Sequence, residues 1–99
     1  MNAAAPTALV APGQEWEARW TTPAVAAMDA MPPTVALAAY VYVAGPLSAD
    51  PDSYSVPLAG SLEGRRSAAV GGAYRVLVRP DQTTGALWVE AVNYRLPQR

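Results

Sequence analysis

The side chains able to do chemistry in this sequence are of few kinds. They are eight carboxylates together with arginines, serines and tyrosines, and the sequence contains no His, Cys or Lys. The commonest general base, the thiol nucleophile and the amine nucleophile are therefore missing together. Ser61 lies in the stretch GSLEG, which is not the G-x-S-x-G turn of a nucleophilic serine. We predict that the protein is not an enzyme.

The one cluster of hard oxygen ligands is Asp50-Pro51-Asp52, with Ser48 and Ser53 beside it. Calcium takes about six to eight oxygen ligands, and this run lacks the spacing of an EF-hand loop. Asp and Pro also form turns, which explains the cluster without a metal. Because Cys and His are absent, the usual zinc and haem ligands are missing as well. The sequence predicts neither a metal site nor a cofactor.

The clearest structural pattern is a β-hairpin over Gly72–Leu96. Two runs of alternating apolar residues, Tyr74–Val78 and Leu87–Ala91, flank Pro80-Asp81. Proline pre-sets its own φ for the first central position of a type I turn. After Ala91-Val92 the alternation slips by one residue, which predicts a β-bulge or a strand that moves between sheets.

Pairing Val78 with Leu87 keeps one face of this hairpin wholly apolar, which assigns that face to the core. Arg75 then falls opposite Glu90 on the second face. That face is our candidate site, and its predicted partner-binding residues are Trp88, Leu77, Arg75, Arg79 and Glu90. Alternatively, Trp88 lies under a loop or a second sheet, or an arginine stem covers it.

The remaining elements follow from local composition. Six segments precede the hairpin: a half-exposed strand (Gln14–Thr21), a short helix (Pro23–Met31), a strand buried on both faces (Thr34–Ala44), a loop (Gly45–Ser53), an edge strand (Tyr54–Leu58) and a last short strand (Ser67–Val70). Five or six strands with regular turn signals predict an all-β fold, a small antiparallel sandwich or barrel with one short helix. In the first strand, Trp16 and Trp20 share a face that we assign to the core.

An extended N-terminal arm is predicted for residues 1–13, and a single β-rich domain for residues 14–99. The apolar residues are dominated by Ala, with no Phe and no Ile, so the core is expected to be thin. Without a disulfide or a metal, association with other subunits is the remaining way to bury more area. We therefore expect protein partners, including a possible homo-oligomer.

The charge and hydropathy of the chain exclude other classes of partner. The net charge is −1 and the pI is about 5.1, which gives no basis for attraction to nucleic acid. The longest apolar run, Val35–Gly45, is too short for a membrane helix. The first residues lack the positive region of a secretory signal, so we expect a soluble protein.

A cysteine-free chain of 99 residues that is rich in Ala, Gly, Pro and Val, begins with an extended arm and ends in a long hairpin resembles the small all-β accessory proteins of tailed-phage virions. The resemblance covers most of the chain and lies in layout, so no functional residue is carried over. It implies a non-enzymatic virion component for capsid decoration or head–tail joining. The alternative is a carbohydrate-binding or adaptor domain, which would use exposed Trp and Tyr side chains or an edge strand at Tyr54–Leu58.

Overall fold

The computed structural model describes residues 15–94, and the predicted arm at residues 1–13 lies outside them. The described residues form one five-stranded sheet with helices on one face, so the prediction of an all-β sandwich or barrel is wrong. The strands are Glu17–Trp20 (β1), Val56–Pro57 (β2), Arg66–Val70 (β3), Tyr74–Asp81 (β4) and Ala86–Tyr94 (β5), and the α-helices are Thr22–Asp29 (α1), Pro33–Tyr42 (α2) and Pro51–Tyr54 (α3).

The sheet has the order β1-β5-β4-β3-β2. Strands β2 to β5 pair antiparallel, whereas β1 joins the edge of the sheet parallel to β5. The edge strand predicted at Tyr54–Leu58 is found as β2 at the edge opposite β1, but it has only two residues and Tyr54 belongs to α3. The predicted strand at Ser67–Val70 is confirmed as β3.

The largest difference from the sequence prediction is α2, which occupies the segment predicted to be a buried strand, Thr34–Ala44. Almost every residue there is apolar, and a run of that kind fits a strand and a buried helix equally well. Its alanines favour the helix, and Pro33 lies within the first helical turn, where proline is tolerated. Within residues 15–94, no helix is both long and apolar enough to cross a bilayer.

Helical structure continues into the segment predicted as a loop, Gly45–Ser53. Pro46 has no N–H to donate, and the chain passes it in one wide turn, Val43–Leu47. The Ser48 hydroxyl donates to the Val43 carbonyl at 2.6 Å inside this turn. Asp50 then caps α3 by accepting hydrogen bonds from the Ser53 amide at 3.3 Å and hydroxyl at 2.7 Å. This explains the Asp-Pro-Asp cluster structurally.

The β4–β5 hairpin confirms the predicted faces but not the predicted register. Val78 pairs with Val89 rather than with Leu87, because Pro80 and Asp81 remain inside β4 and the turn comes after them. A bulge is present, but it lies just before the predicted position at Ala91-Val92: the register shifts between Leu77 and Val78 of β4, and Ala91 pairs with Leu77 instead of joining the core face. The additional residue of β5 at this shift is Glu90.

The side chain of Thr21 forms hydrogen bonds with both the β-bulge and the first turn of α1. Its Oγ1 donates to the carbonyls of Val89 at 3.1 Å and Glu90 at 3.2 Å, and accepts from the Ala24 amide at 3.3 Å as the N-cap. The helix predicted at Pro23–Met31 is therefore confirmed with Thr21, not Thr22, as its cap. One side chain thus fixes how the first helix leaves the sheet.

The core lies between the helices and one face of the sheet. Ala39, Val43 and Leu47, spaced four residues apart, are fully buried against the sheet. Trp16 and Trp20 are partly buried and pack against the same core, as predicted from their shared face. The largest fully buried side chains are only Leu and Val, which confirms that the core is thin.

Candidate functional site

Two surfaces stand out in the described residues, and the first is the side of the sheet that faces away from the core, here called the open face. Val76 and Val78 point into the core, so Arg75, Leu77 and Arg79 alternate onto the open face. Trp88 lies there too, in register opposite Arg79 and also opposite Arg19 of β1. Leu77 and Trp88 are both half-buried. The structure therefore brings the predicted site residues of both strands to one face.

Glu90 is held on this face by two arginines. Arg65 Nε contacts Glu90 Oε1 at 2.6 Å and Arg79 Nε contacts Oε2 at 2.9 Å, so each guanidinium takes one carboxylate oxygen. The predicted contact of Glu90 with Arg75 is wrong, because Arg75 Nη1 donates to Ser67 Oγ at 3.2 Å and lies opposite Asn93. Sequence reasoning missed Arg65, which comes just before β3 and carries no local signal of this role.

The electrostatics of Glu90 follow from these contacts. Burial raises the pKa of a carboxyl group, but hydrogen bonds from Arg65 and Arg79 outweigh it, so the pKa of Glu90 lies below its ordinary value. Glu90 is therefore ionised at neutral pH. It offsets charge on the two arginines, and any anion approaching this face must compete with it.

The other arginines of the described residues also have partners. Arg19 forms an exposed ion pair with Glu17 at 3.2 Å, and Arg66 approaches Asp52 at 3.5 Å and donates from Nε to Ser55 Oγ at 2.7 Å. On the open face, Arg65 and Arg79 share the single carboxylate of Glu90 and Arg75 contacts a neutral hydroxyl, so these contacts leave part of the arginine charge around Trp88 uncompensated. An exposed group of arginines around a tryptophan is typical of an interaction surface.

We expect Glu90→Gln to lower the free energy of unfolding at pH 7 by about 1–2 kcal/mol, because charge-assisted hydrogen bonds to two guanidinium groups are weakened. Since the pKa of Glu90 is lower in the folded protein, its contribution is complete above the ordinary glutamate pKa of about 4.3 and is lost as the pH falls through the folded value. Urea unfolding of both proteins at neutral and acidic pH measures this. The matched control is Glu17→Gln, whose exposed ion pair should contribute less than about 0.5 kcal/mol.

The second surface is the outer side of the two long helices, here called the helix face. On α2, Leu37, Tyr40 and Val41 are 62%, 55% and 56% exposed, and on α1 Val25 is 47% exposed. The spacing of three and four residues places the α2 side chains on one side of the helix. A group of large apolar side chains left in water is typical of a protein–protein interface.

A small cavity opens between the helices on this face. It has a volume of about 230 Å³ and is lined by Trp20, Val25, Met28, Asp29 and Tyr40. Trp20 and Tyr40 stack with ring centroids 6.3 Å apart, which fixes one wall. The cavity is apolar except for Asp29, and it has room for one aliphatic or aromatic side chain. A larger cleft of about 530 Å³ lies beside α3, where Arg65 and Arg66 face Asp50 and Asp52.

Comparison with solved structures identifies the family. In the crystal structure of the toxin-antitoxin complex RelBE2 from Mycobacterium tuberculosis, one chain matches with a TM-score of 0.76 and 31% identity, over 82% of this chain and 99% of that chain. A chain of the chromosomal ParDE TA system from P. aeruginosa has the same fold, with a TM-score of 0.58 and 16% identity over 83% of this chain and 98% of that one. No family model matches the sequence, and no curated protein does. The chain belongs to the RelE/ParE-type toxins of toxin–antitoxin systems.

This family membership corrects the function predicted from the sequence. The resemblance to virion accessory proteins, with its roles in capsid decoration or head–tail joining and its virion location, is wrong. The carbohydrate-binding alternative is unsupported as well. The expectation of a protein partner agrees with the comparisons, because the similar chains come from toxin–antitoxin systems. The error arose because composition and layout are shared by proteins of unrelated function.

Proposed function

We propose that this protein is the toxin of a toxin–antitoxin pair and that its antitoxin binds the helix face. The observation that carries the proposal is the group of exposed Leu37, Tyr40 and Val41 on α2 of a chain in this family. A thin core leaves the free chain little apolar area with which to stabilise itself, and a partner on the helix face would add to it.

The proposal extends to the open face, which would bind the target in the cell. Trp88 lies between arginines of neighbouring strands, and aromatic and arginine side chains are enriched at the centres of protein interfaces. We assign the predicted residues Trp88, Leu77, Arg75, Arg79 and Glu90 to this role. The two surfaces lie on different sides of the molecule, because α1 and α2 pack on the opposite face of the sheet.

We further propose that the toxin acts by binding and not by catalysis, and that its target is a protein. Supporting this, the pKa of Glu90 on the open face is lowered, which makes Glu90 a poor proton acceptor at neutral pH. Arg65 and Arg79 already contact Glu90, so a phosphate group would have to compete with this carboxylate. The net charge of −1 also favours a protein target over a nucleic acid.

The test uses the purified chain in three assays. Calorimetry with the cognate antitoxin should give a dissociation constant below about 1 μM, as expected for a specific apolar interface. RelE/ParE toxins act as ribonucleases or gyrase inhibitors, so RNA cleavage and gyrase-driven supercoiling are measured next. We expect no RNA cleavage. Cleavage that co-purifies with the chain and disappears in Arg79→Gln would contradict action by binding.

A further inference from the structure

Asp29 is the one charged side chain that lines the cavity between α1 and α2. The other lining residues are Trp20, Val25, Met28 and Tyr40. The ion pairs of the described residues join Glu17, Asp52 and Glu90 to arginines, and none includes Asp29. Asp29 is therefore an exposed acid beside an apolar cavity, and within residues 15–94 no arginine pairs with it.

The position of Asp29 in α1 is also unfavourable for the free protein. It is the last residue of the helix, next to the C-cap Ala30, and the last turn has no basic residue. A helix C-terminus carries partial negative charge, which favours Lys or Arg and disfavours an acid. Asp29 is thus exposed at an unfavourable position and is accessible to a basic group of a partner.

We propose that the antitoxin places an apolar side chain in the cavity between α1 and α2 and a Lys or Arg beside it, paired with Asp29. This rests on the proposed function, and it defines the chemistry that the antitoxin segment must carry. An anchor against Trp20 and Tyr40 supplies affinity, and the ion pair at the rim fixes the register of the bound segment.

The test is Asp29→Asn, which keeps the size of the side chain and removes its charge. The dissociation constant of the complex with the cognate antitoxin should rise about threefold to tenfold at low salt, and its dependence on salt concentration should become flatter. The melting temperature of the free chain should rise, because the repulsion with the helix C-terminus is removed. If Asp29 had only a structural role, its replacement would not weaken antitoxin binding while raising the melting temperature of the free chain. Calorimetry over a range of salt concentrations and thermal unfolding measure them.

The matched control is Glu63→Gln, which removes an exposed acid from the turn before β3 and should leave both the affinity and its salt dependence unchanged. Val25→Ala, which shortens one wall of the cavity without touching a charge, should also weaken binding but keep the salt dependence. If Asp29→Asn binds like the native chain at every salt concentration, the inference is wrong and the proposed function stands. If the native chain does not bind the antitoxin at all, both are wrong.

Discussion

Replacing Leu37 and Val41 together by Asp is expected to raise the dissociation constant of the antitoxin complex at least about 100-fold while leaving the toxic effect intact. Both side chains are more than half exposed, so the free protein should lose no more than about 1 kcal/mol of stability. In the complex, two carboxylates would be buried without partners in an apolar interface, which is strongly unfavourable. Calorimetry measures the affinity, and urea unfolding of the free chain checks its stability.

The control for this variant is Leu62→Asp. Leu62 is 41% exposed and lies in the turn between β2 and β3, outside the helix face. The same chemical change at that position should leave antitoxin affinity unchanged. Equal loss of binding in the two variants would show that any new charge disrupts the complex, and the helix face would then lose its assignment.

The second large effect is expected on the open face, where Arg79→Gln should abolish growth arrest without affecting the antitoxin. Arg79 lies opposite Trp88 at the centre of the proposed target surface. Arg65 remains in place to hold Glu90, so the fold should survive the substitution. Colony counts after induction measure toxicity, and calorimetry should give an antitoxin dissociation constant within about threefold of the native value.

Arg66→Gln is the matched control for this substitution. Its guanidinium contacts Asp52 and Ser55 near α3 instead of lining the open face. This variant should remain toxic although it also loses an arginine. Toxicity retained by Arg79→Gln and lost by Arg66→Gln would move the target surface to the cleft beside α3.

The sequence predicted the hairpin well because its strands have one polar and one apolar face. Alternation decides which side chains face the core, and the structure confirms that for Val76, Val78 and Val89. It does not decide register, since a shift of two residues preserves both faces. The predicted register is wrong because the sequence places Pro80 in the turn, whereas Pro80 pairs with Leu87 inside β4.

Neither helix α2 nor the contacts of Glu90 with Arg65 and Arg79 could be predicted from the sequence. The physical reasons differ. In α2 nearly every position is apolar, so neither a period of two nor one of 3.6 residues stands out in the sequence. Glu90 is the additional residue of the bulge, and Arg65 contacts it from 25 residues away in the sequence. Contacts of this kind depend on the order of the strands in the sheet. That order cannot be predicted from the residues of the hairpin alone.

The helix face was not predicted either, because the sequence pattern of Thr34–Ala44 was interpreted as a strand instead of a helix. A strand buried on both faces at Thr34–Ala44 would place Leu37 and Val41 in the core. As a helix, the segment has room to bury only part of its apolar side chains, and these two are left exposed. The sequence signal for the surface was present, since an apolar run on a helix that packs on one sheet must expose its outer side.

The most direct test of the central claim is growth of a bacterial host in which this chain is induced alone and together with its cognate antitoxin. We predict that induction of the chain alone stops growth and lowers the colony count, and that co-expression of the antitoxin restores both. Circular dichroism of the purified chain verifies that it is folded. Normal growth of cells that contain the folded chain without antitoxin would contradict its assignment as a toxin.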